Sequence, residues 1–145
     1  MQAIIFCGLQ ASGKSSFYKE HFFNTHVRIS LDLLRTRHRE RLFIRDCLQT
    51  QMRFVVDNTN PTIAERQKYI ALAKEARYDV IGYYFETTAR EAVERNKVRE
   101  GRWLVPEKGI YGTAKKLQKP TVAEGFDALY LVRILPDGTF EVQQV

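Results

Sequence analysis

Cysteine is scarce in this 145-residue chain: Cys7 and Cys47 stand alone, with neither metal-ligand spacing nor a redox partner motif. Cys7 reads as a small buried residue at the end of an apolar run. The three histidines, His21, His26 and His38, have no ligand spacing either. No segment is of low complexity and none repeats. The N-terminal apolar run is too short to cross a bilayer or to form the core of a signal peptide, so the expectation is a cytoplasmic protein with no membrane contact. Acid is in short supply: 17 Asp and Glu face 23 Lys and Arg, for a formal net charge of +6. Such a surface attracts anions.

What is present begins at the N-terminus. Gly8-Leu9-Gln10-Ala11-Ser12-Gly13-Lys14-Ser15 fits G-x-x-x-x-G-K-[ST] and directly follows the apolar run Ala3-Ile4-Ile5-Phe6-Cys7. A strand that delivers the chain into a glycine-bearing loop, with a helix after it, presents successive N–H groups to phosphate oxygens. In that arrangement Lys14 reaches the β- and γ-phosphates and the Ser15 hydroxyl ligates Mg2+. Gly8, Ala11, Ser12, Gly13, Lys14, Ser15 and Ser16 are the expected phosphate-binding residues. The first turn of the following helix adds its dipole.

Apolar runs and helix-compatible stretches then alternate. Strands are expected at 2–7, 27–30, 53–57 and 80–85, with helices at 14–21, 33–51, 62–76 and from Ala89 to about Glu100. A βαβα alternation gives a parallel sheet with helices on both faces. Ligands collect at the carboxyl ends of such strands, so Gly8, Asp32 and Asp57 should converge on one crevice. Residues 101–120 carry Gly101, Pro106, Gly109, Gly112 and Pro120 and read as a long loop. Two strand-like runs around Pro136-Asp137-Gly138 read as a hairpin, with its pairing to the main sheet left open. The chain is expected to form one domain, 1–145, with a mobile lid at about 95–119.

Asp32 follows the second strand, where a carboxylate can take a proton from an acceptor hydroxyl; the competing reading is an N-cap for the next helix. Asp57 ends the third strand, where P-loop proteins hold Mg2+ directly or through water, and Asp57-Asn58-Thr59-Asn60-Pro61 is dense in polar groups. A plain turn with Thr59 or Asn60 as cap is the alternative. Arg95 and Arg99 are four apart and would share a helix face, placed to close on phosphates. Arg35 lies one turn after Asp32 and can meet an acceptor phosphate. Arg35, Arg37, Arg39, Arg41 and Arg45 concentrate charge in one segment, and Arg90, Arg95, Lys97, Arg99 and Arg102 in another. Nucleic acid explains such clusters, and so does a solvated helix face. Trp103 and Tyr111 can stack on a base or pack against the lid.

Taken together, these residues resemble the polynucleotide 5′-kinase branch of P-loop kinases. The likeness covers nearly the whole chain. It rests on the phosphate loop, the aspartate after the second strand, Asp57-Asn58-Thr59-Asn60-Pro61 with Arg66, Arg95-Asn96 with Arg99, and Pro120-Thr121-Val122-Ala123-Glu124-Gly125-Phe126. The resemblance implies an adenylate-kinase-like P-loop NTPase fold of three α/β/α layers. It implies transfer of the γ-phosphate of ATP, with Mg2+, to a 5′-OH end of DNA or RNA. Lys14, Asp32 and Arg99 would be catalytic, with Asp32 as general base. Arg95 would lie near the adenine and Arg99 on the transferring phosphate. Arg35 would contact the phosphate next to the acceptor nucleoside, and Asp32, Asp57, Asn58 and Asn60 would complete the acceptor side. The chain departs from the family pattern at Leu31, where members often place a polar or basic residue before the base. A small-molecule kinase and a nucleotide-driven binding switch remain as alternatives.

Overall fold

A computed structural model describes residues 1–145. Its centre is a six-stranded sheet in the order β2-β3-β1-β4-β5-β6. The strands are β1 (Gln2–Gly8), β2 (Val27–Ile29), β3 (Phe54–Val56), β4 (Asp79–Phe85), β5 (Ala128–Ile134) and β6 (Phe140–Gln144). The first five run parallel and β6 closes the edge antiparallel to β5, so the C-terminal hairpin does join the main sheet. In β1 every residue from Ala3 to Gly8 is buried, as expected for a parallel strand covered on both faces. Alternation divides them. Ala3 and Ile5 join one core with Ile44, Cys47, Tyr69, Ile70 and Ala73, while Ile4 and Phe6 join a second with Phe17, Tyr18 and Phe22. That is the three-layer α/β/α arrangement.

The helices are α1 (Lys14–His21), α2 (Leu31–Leu34), α3 (Arg37–Thr50), α4 (Ile63–Glu75), α5 (Ala89–Asn96) and α6 (Glu107–Lys116). Three expectations are corrected. The single helix read over 33–51 is two, because Arg35 sits at φ 75 and Thr36 starts α3 by accepting a hydrogen bond from the Arg39 N–H. The α4 helix is capped by Thr62, in a reciprocal capping box with Glu65, and not by Thr59 or Asn60. Residues 101–120 are not an irregular loop. A short 3-10 turn, Gly101–Trp103, is followed by α6, with Pro106 just before its first turn, where proline is tolerated. Gly109 and Gly112 hid this helix from a propensity reading, whereas Ile110, packed with Leu9, Ala92 and Val93, holds it in place. No helix is long and apolar enough to cross a membrane.

Candidate active site

The phosphate loop is held from three sides. The Gly8 N–H donates to the Thr59 carbonyl at 2.9 Å, which ties the loop to the turn after β3. The Gln10 amide donates to Thr113 Oγ1 of α6 at 3.0 Å. Gly13 takes φ 94 at the start of α1, and a Cβ there would lie 2.9 Å from Ile134 and Phe140 of the hairpin. A Cβ on Gly8 would meet Phe85 at 2.9 Å. Both glycines are therefore required by the protein's own packing, before any phosphate is considered. Ala11 also adopts a left-handed φ of 58. Ser12 is buried, and Ser16 is exposed on the first turn of α1.

Lys14 is folded back over this loop, donating to the Gly8 carbonyl at 3.0 Å, to the Leu9 carbonyl at 2.6 Å and to Ser12 Oγ at 3.3 Å. Burial pushes its ammonium down to about 8, against the opposing pull of Asp57 and, more weakly, Asp32; Arg99 adds to the depression. Asp57, Asp32 and Arg99 all lie close enough to act on this one cation. A consequence is testable. Phosphate oxygens favour the charged ammonium, whereas Lys14 in the free protein loses its proton as pH rises through about 8. Nucleotide affinity should therefore fall above that pH, approaching about tenfold per pH unit if the neutral amine does not bind. A fluorescent-ADP titration from pH 7 to 9.5 checks this, and a flat profile would sink it.

Ser15 and Asp57 meet directly. The Ser15 hydroxyl donates to Asp57 Oδ2 at 3.0 Å, and Asp57 is buried. A hydroxyl and a carboxylate are the hard oxygen donors that Mg2+ takes when phosphates and water complete its shell, so this pair fits such an ion. Asp57 thus belongs to the phosphate side of the crevice. Arg28, to which sequence reasoning gave no role, donates from Nε to Asp57 Oδ2 at 2.8 Å and from Nη2 to Ser15 Oγ at 3.0 Å. The one signal for it was a lone cation between Val27 and Ile29 in a three-residue strand.

Asp32 does not cap the following helix. Ser30 occupies the N-cap position, and Asp32 lies in the first turn of α2, exposed, with no hydrogen-bond or ion-pair partner. Its carboxylate is free to meet a ligand. Asn58 positions it indirectly: Asn58 Oδ1 accepts from the Leu31 N–H at 2.9 Å, and Nδ2 donates to Glu40 Oε2 at 2.9 Å. Both ends of the Asn58 amide are thus engaged within the fold. Arg35 ends α2, exposed. Asn60, expected on the acceptor side, is buried instead. Its side-chain amide N–H donates to the Phe6 carbonyl at 2.8 Å and its backbone carbonyl accepts from Arg66, so both groups serve the fold.

Arg95 and Arg99 do not share a helix face. The α5 helix ends at Asn96, and Arg99 lies beyond it, half-buried, donating to the Trp103 carbonyl at 3.2 Å. Arg95 donates to Thr87 Oγ1 at 2.9 Å. The break is set by Asn96, which is buried and bonds both the carbonyl and the N–H of Val105, folding residues 97–105 back on α5. Trp103 stacks under the Arg102 guanidinium at 4.6 Å and is half exposed. Cys7 stays a neutral thiol, pushed up to about 11 by burial.

This fold, with a lysine-bearing phosphate loop, a part-buried Ser15–Asp57 pair and an arginine-bearing segment beside it, defines a P-loop kinase domain. Residues 4–120 match the AAA_33 family, described as an AAA domain, and the chain belongs to that family. A bifunctional polynucleotide phosphatase/kinase of Schizosaccharomyces pombe is 26% identical over 129 residues, which are 86% of this chain and 32% of that protein. A putative bifunctional polynucleotide phosphatase/kinase of Acanthamoeba polyphaga mimivirus is 35% identical over 100 residues, 68% of this chain and 24% of that protein. The chain thus spans about a third or less of the length of these relatives. Among solved structures, a gluconokinase from Sinorhizobium meliloti 1021 superposes with TM-score 0.64 at 17% identity, covering 91% of this chain and 82% of that one, a likeness of fold.

Proposed function

We propose that the chain is an ATP-dependent kinase for the 5′-hydroxyl end of a polynucleotide, DNA or RNA. The observation that carries this reading is Asp32. It is an exposed carboxylate without a partner, it acts on the same Lys14 that serves the phosphate loop, and Asn58 holds the helix that bears it. A general base needs that combination of freedom and fixed position. Asp32 Oδ accepts the acceptor proton as the hydroxyl oxygen attacks the γ-phosphorus and the bond to the bridging β-phosphate oxygen breaks, releasing ADP. Lys14 and Arg99 neutralise the charge that spreads over the phosphoryl oxygens. The loop N–H groups that follow Gly8, up to Ser16, orient the donor phosphates. Mg2+, held by Ser15 with Asp57 directly or through water, would supply further charge neutralisation on those phosphates. Arg95, near the adenine, steadies the nucleoside end.

A polynucleotide acceptor accords with the relatives named above and with the charge beside Asp32. Arg35, Arg37, Arg39, Arg41 and Arg45 are all exposed along α2 and α3. Phosphate chains are drawn to such a cluster. The segment around α6 serves as a lid in this reading, since Gln10–Thr113 links it to the phosphate loop. The test is transfer of label from γ-labelled ATP with Mg2+ to 5′-OH oligonucleotides of DNA and RNA, with Lys14→Ala as control. Labelled ends that vanish in the control support the reading. Turnover on a small alcohol with no labelled ends at any length overturns the polynucleotide acceptor, and nucleotide binding without transfer to any acceptor overturns the kinase.

A further inference from the structure

Arg28 closes a triangle with the two residues that would hold a divalent cation. Its Nε lies 2.8 Å from Asp57 Oδ2, its Nη2 lies 3.0 Å from Ser15 Oγ, and the Ser15 hydroxyl donates to the same Oδ2 at 3.0 Å. The Asp57 side chain is 2% exposed and that of Arg28 23%. A carboxylate this deeply buried needs a counter-charge, and no other ion pair reaches Asp57. The guanidinium also lies within 6.0 Å of the Tyr18 ring centroid, on its α1 side.

We propose that Arg28 is a resident counter-ion that competes with the divalent cation for Ser15 Oγ and Asp57 Oδ2, and so sets how tightly this site holds metal. Valence and charge both set this competition. Asp57 Oδ2 already accepts two hydrogen bonds, from Ser15 and from Arg28. The Ser15 oxygen accepts one from Arg28 while donating its proton, so a cation on these atoms must come up against a guanidinium. Like charges at such range repel, so the metal is held weakly while Arg28 stays. Arriving nucleotide brings the negative charge that tips the competition. Arg28 can then rest on the Tyr18 face or turn to the phosphates. Metal binding thereby becomes conditional on nucleotide, which spares the empty site from tight, unproductive loading. This inference rests on Ser15 and Asp57 as the metal-holding pair and is independent of the acceptor.

A purely structural role for Arg28 has the opposite sign. If it only held Asp57 in place, removing it would loosen the carboxylate and weaken metal binding. The test is Mn2+ titration followed by electron paramagnetic resonance, on the full chain without nucleotide and with ADP. Arg28→Met keeps the length of the side chain, and Arg28→Gln keeps a hydrogen-bond donor should the first variant fail to fold. Either should bind Mn2+ about tenfold more tightly without nucleotide, with the advantage shrinking when ADP is present. Arg28→Lys, which keeps a cation, should stay near wild type. Unchanged or weaker Mn2+ binding in a folded neutral variant overturns the role given to Arg28. Tight Mn2+ binding that persists in Ser15→Ala would instead overturn the metal pair itself, and the inference with it.

Discussion

Asp32→Asn should lower the turnover of phosphoryl transfer by about 10²- to 10⁴-fold, the usual worth of a positioned general base, while nucleotide affinity changes little. The substitution is nearly isosteric and removes the carboxylate's charge and proton affinity, the charge being only a minor influence on Lys14. Asp32 is exposed and has no partner inside the protein, so no hydrogen bond or ion pair is lost with it. The fold should be indifferent. Asn58 will still bond the Leu31 N–H and hold α2 at the same place. A fall in kcat with unaltered ADP affinity and an unaltered thermal midpoint fits a residue that acts only on the acceptor proton. Near-normal turnover in this variant would remove the general base from the mechanism and favour a nucleotide-driven switch, which needs none. Lys14→Ala differs in kind, because it removes charge from the phosphate site and should weaken nucleotide binding as well.

The second large effect lies away from the chemistry. Arg66 is the bulkiest fully buried side chain in the protein. Its Nε and Nη2 grip the two oxygens of Glu124 at 2.8 and 3.0 Å, and its remaining donors go to the carbonyls of Asn60 and Gln118 and to Cys7 Sγ. Glu124 is held in turn by the Thr121 N–H. Arg66→Ala should therefore cost about 3–5 kcal/mol, because it strands a buried carboxylate and two carbonyls. Glu124→Ala should cost a similar amount. The double variant should lose clearly less than the sum, since no uncompensated charge then remains. Denaturant unfolding of the four proteins measures this cycle. Strict additivity would show that the two side chains are not coupled.

That cluster also gives a physical reason for two segments which, in the sequence, read as acceptor-side and family features. Asn60 ties the turn after β3 to the Phe6 carbonyl of β1 and offers its own carbonyl to Arg66. Glu124 receives the guanidinium, Gly125 turns at φ 117 with Ile70 close by, and Phe126 fills the space over Gly82, where a Cβ would lie 2.8 Å from its ring. Much of the D-N-T-N-P and E-G-F pattern is thus a clamp between α4, the turn after β3 and the segment leading into β5. Asp57 meets Ser15, the Thr59 carbonyl holds the Gly8 N–H, and Asn58 holds the Leu31 N–H next to Asp32.

Local chemistry determined a great deal here. A buried apolar run, glycines at fixed offsets and a lysine mark a phosphate loop, because phosphate geometry and close packing call for those residues at those places. The strand and helix alternation, the parallel sheet and the meeting of residues that follow β1, β2 and β3 came from periodicity alone. Three things needed the tertiary structure. Arg35 breaks a helix that its neighbours would have continued, taking φ 75 just before Thr36 caps α3. The α6 helix forms despite Gly109 and Gly112, because Ile110 gains a buried place beside Leu9 that propensity cannot count. Arg28 meets Asp57 and Ser15 because β2 pairs with β3, an adjacency between residues far apart in sequence. Patterns along a chain record what each residue prefers by itself; which cation finds which buried carboxylate is settled only when the strands are laid side by side.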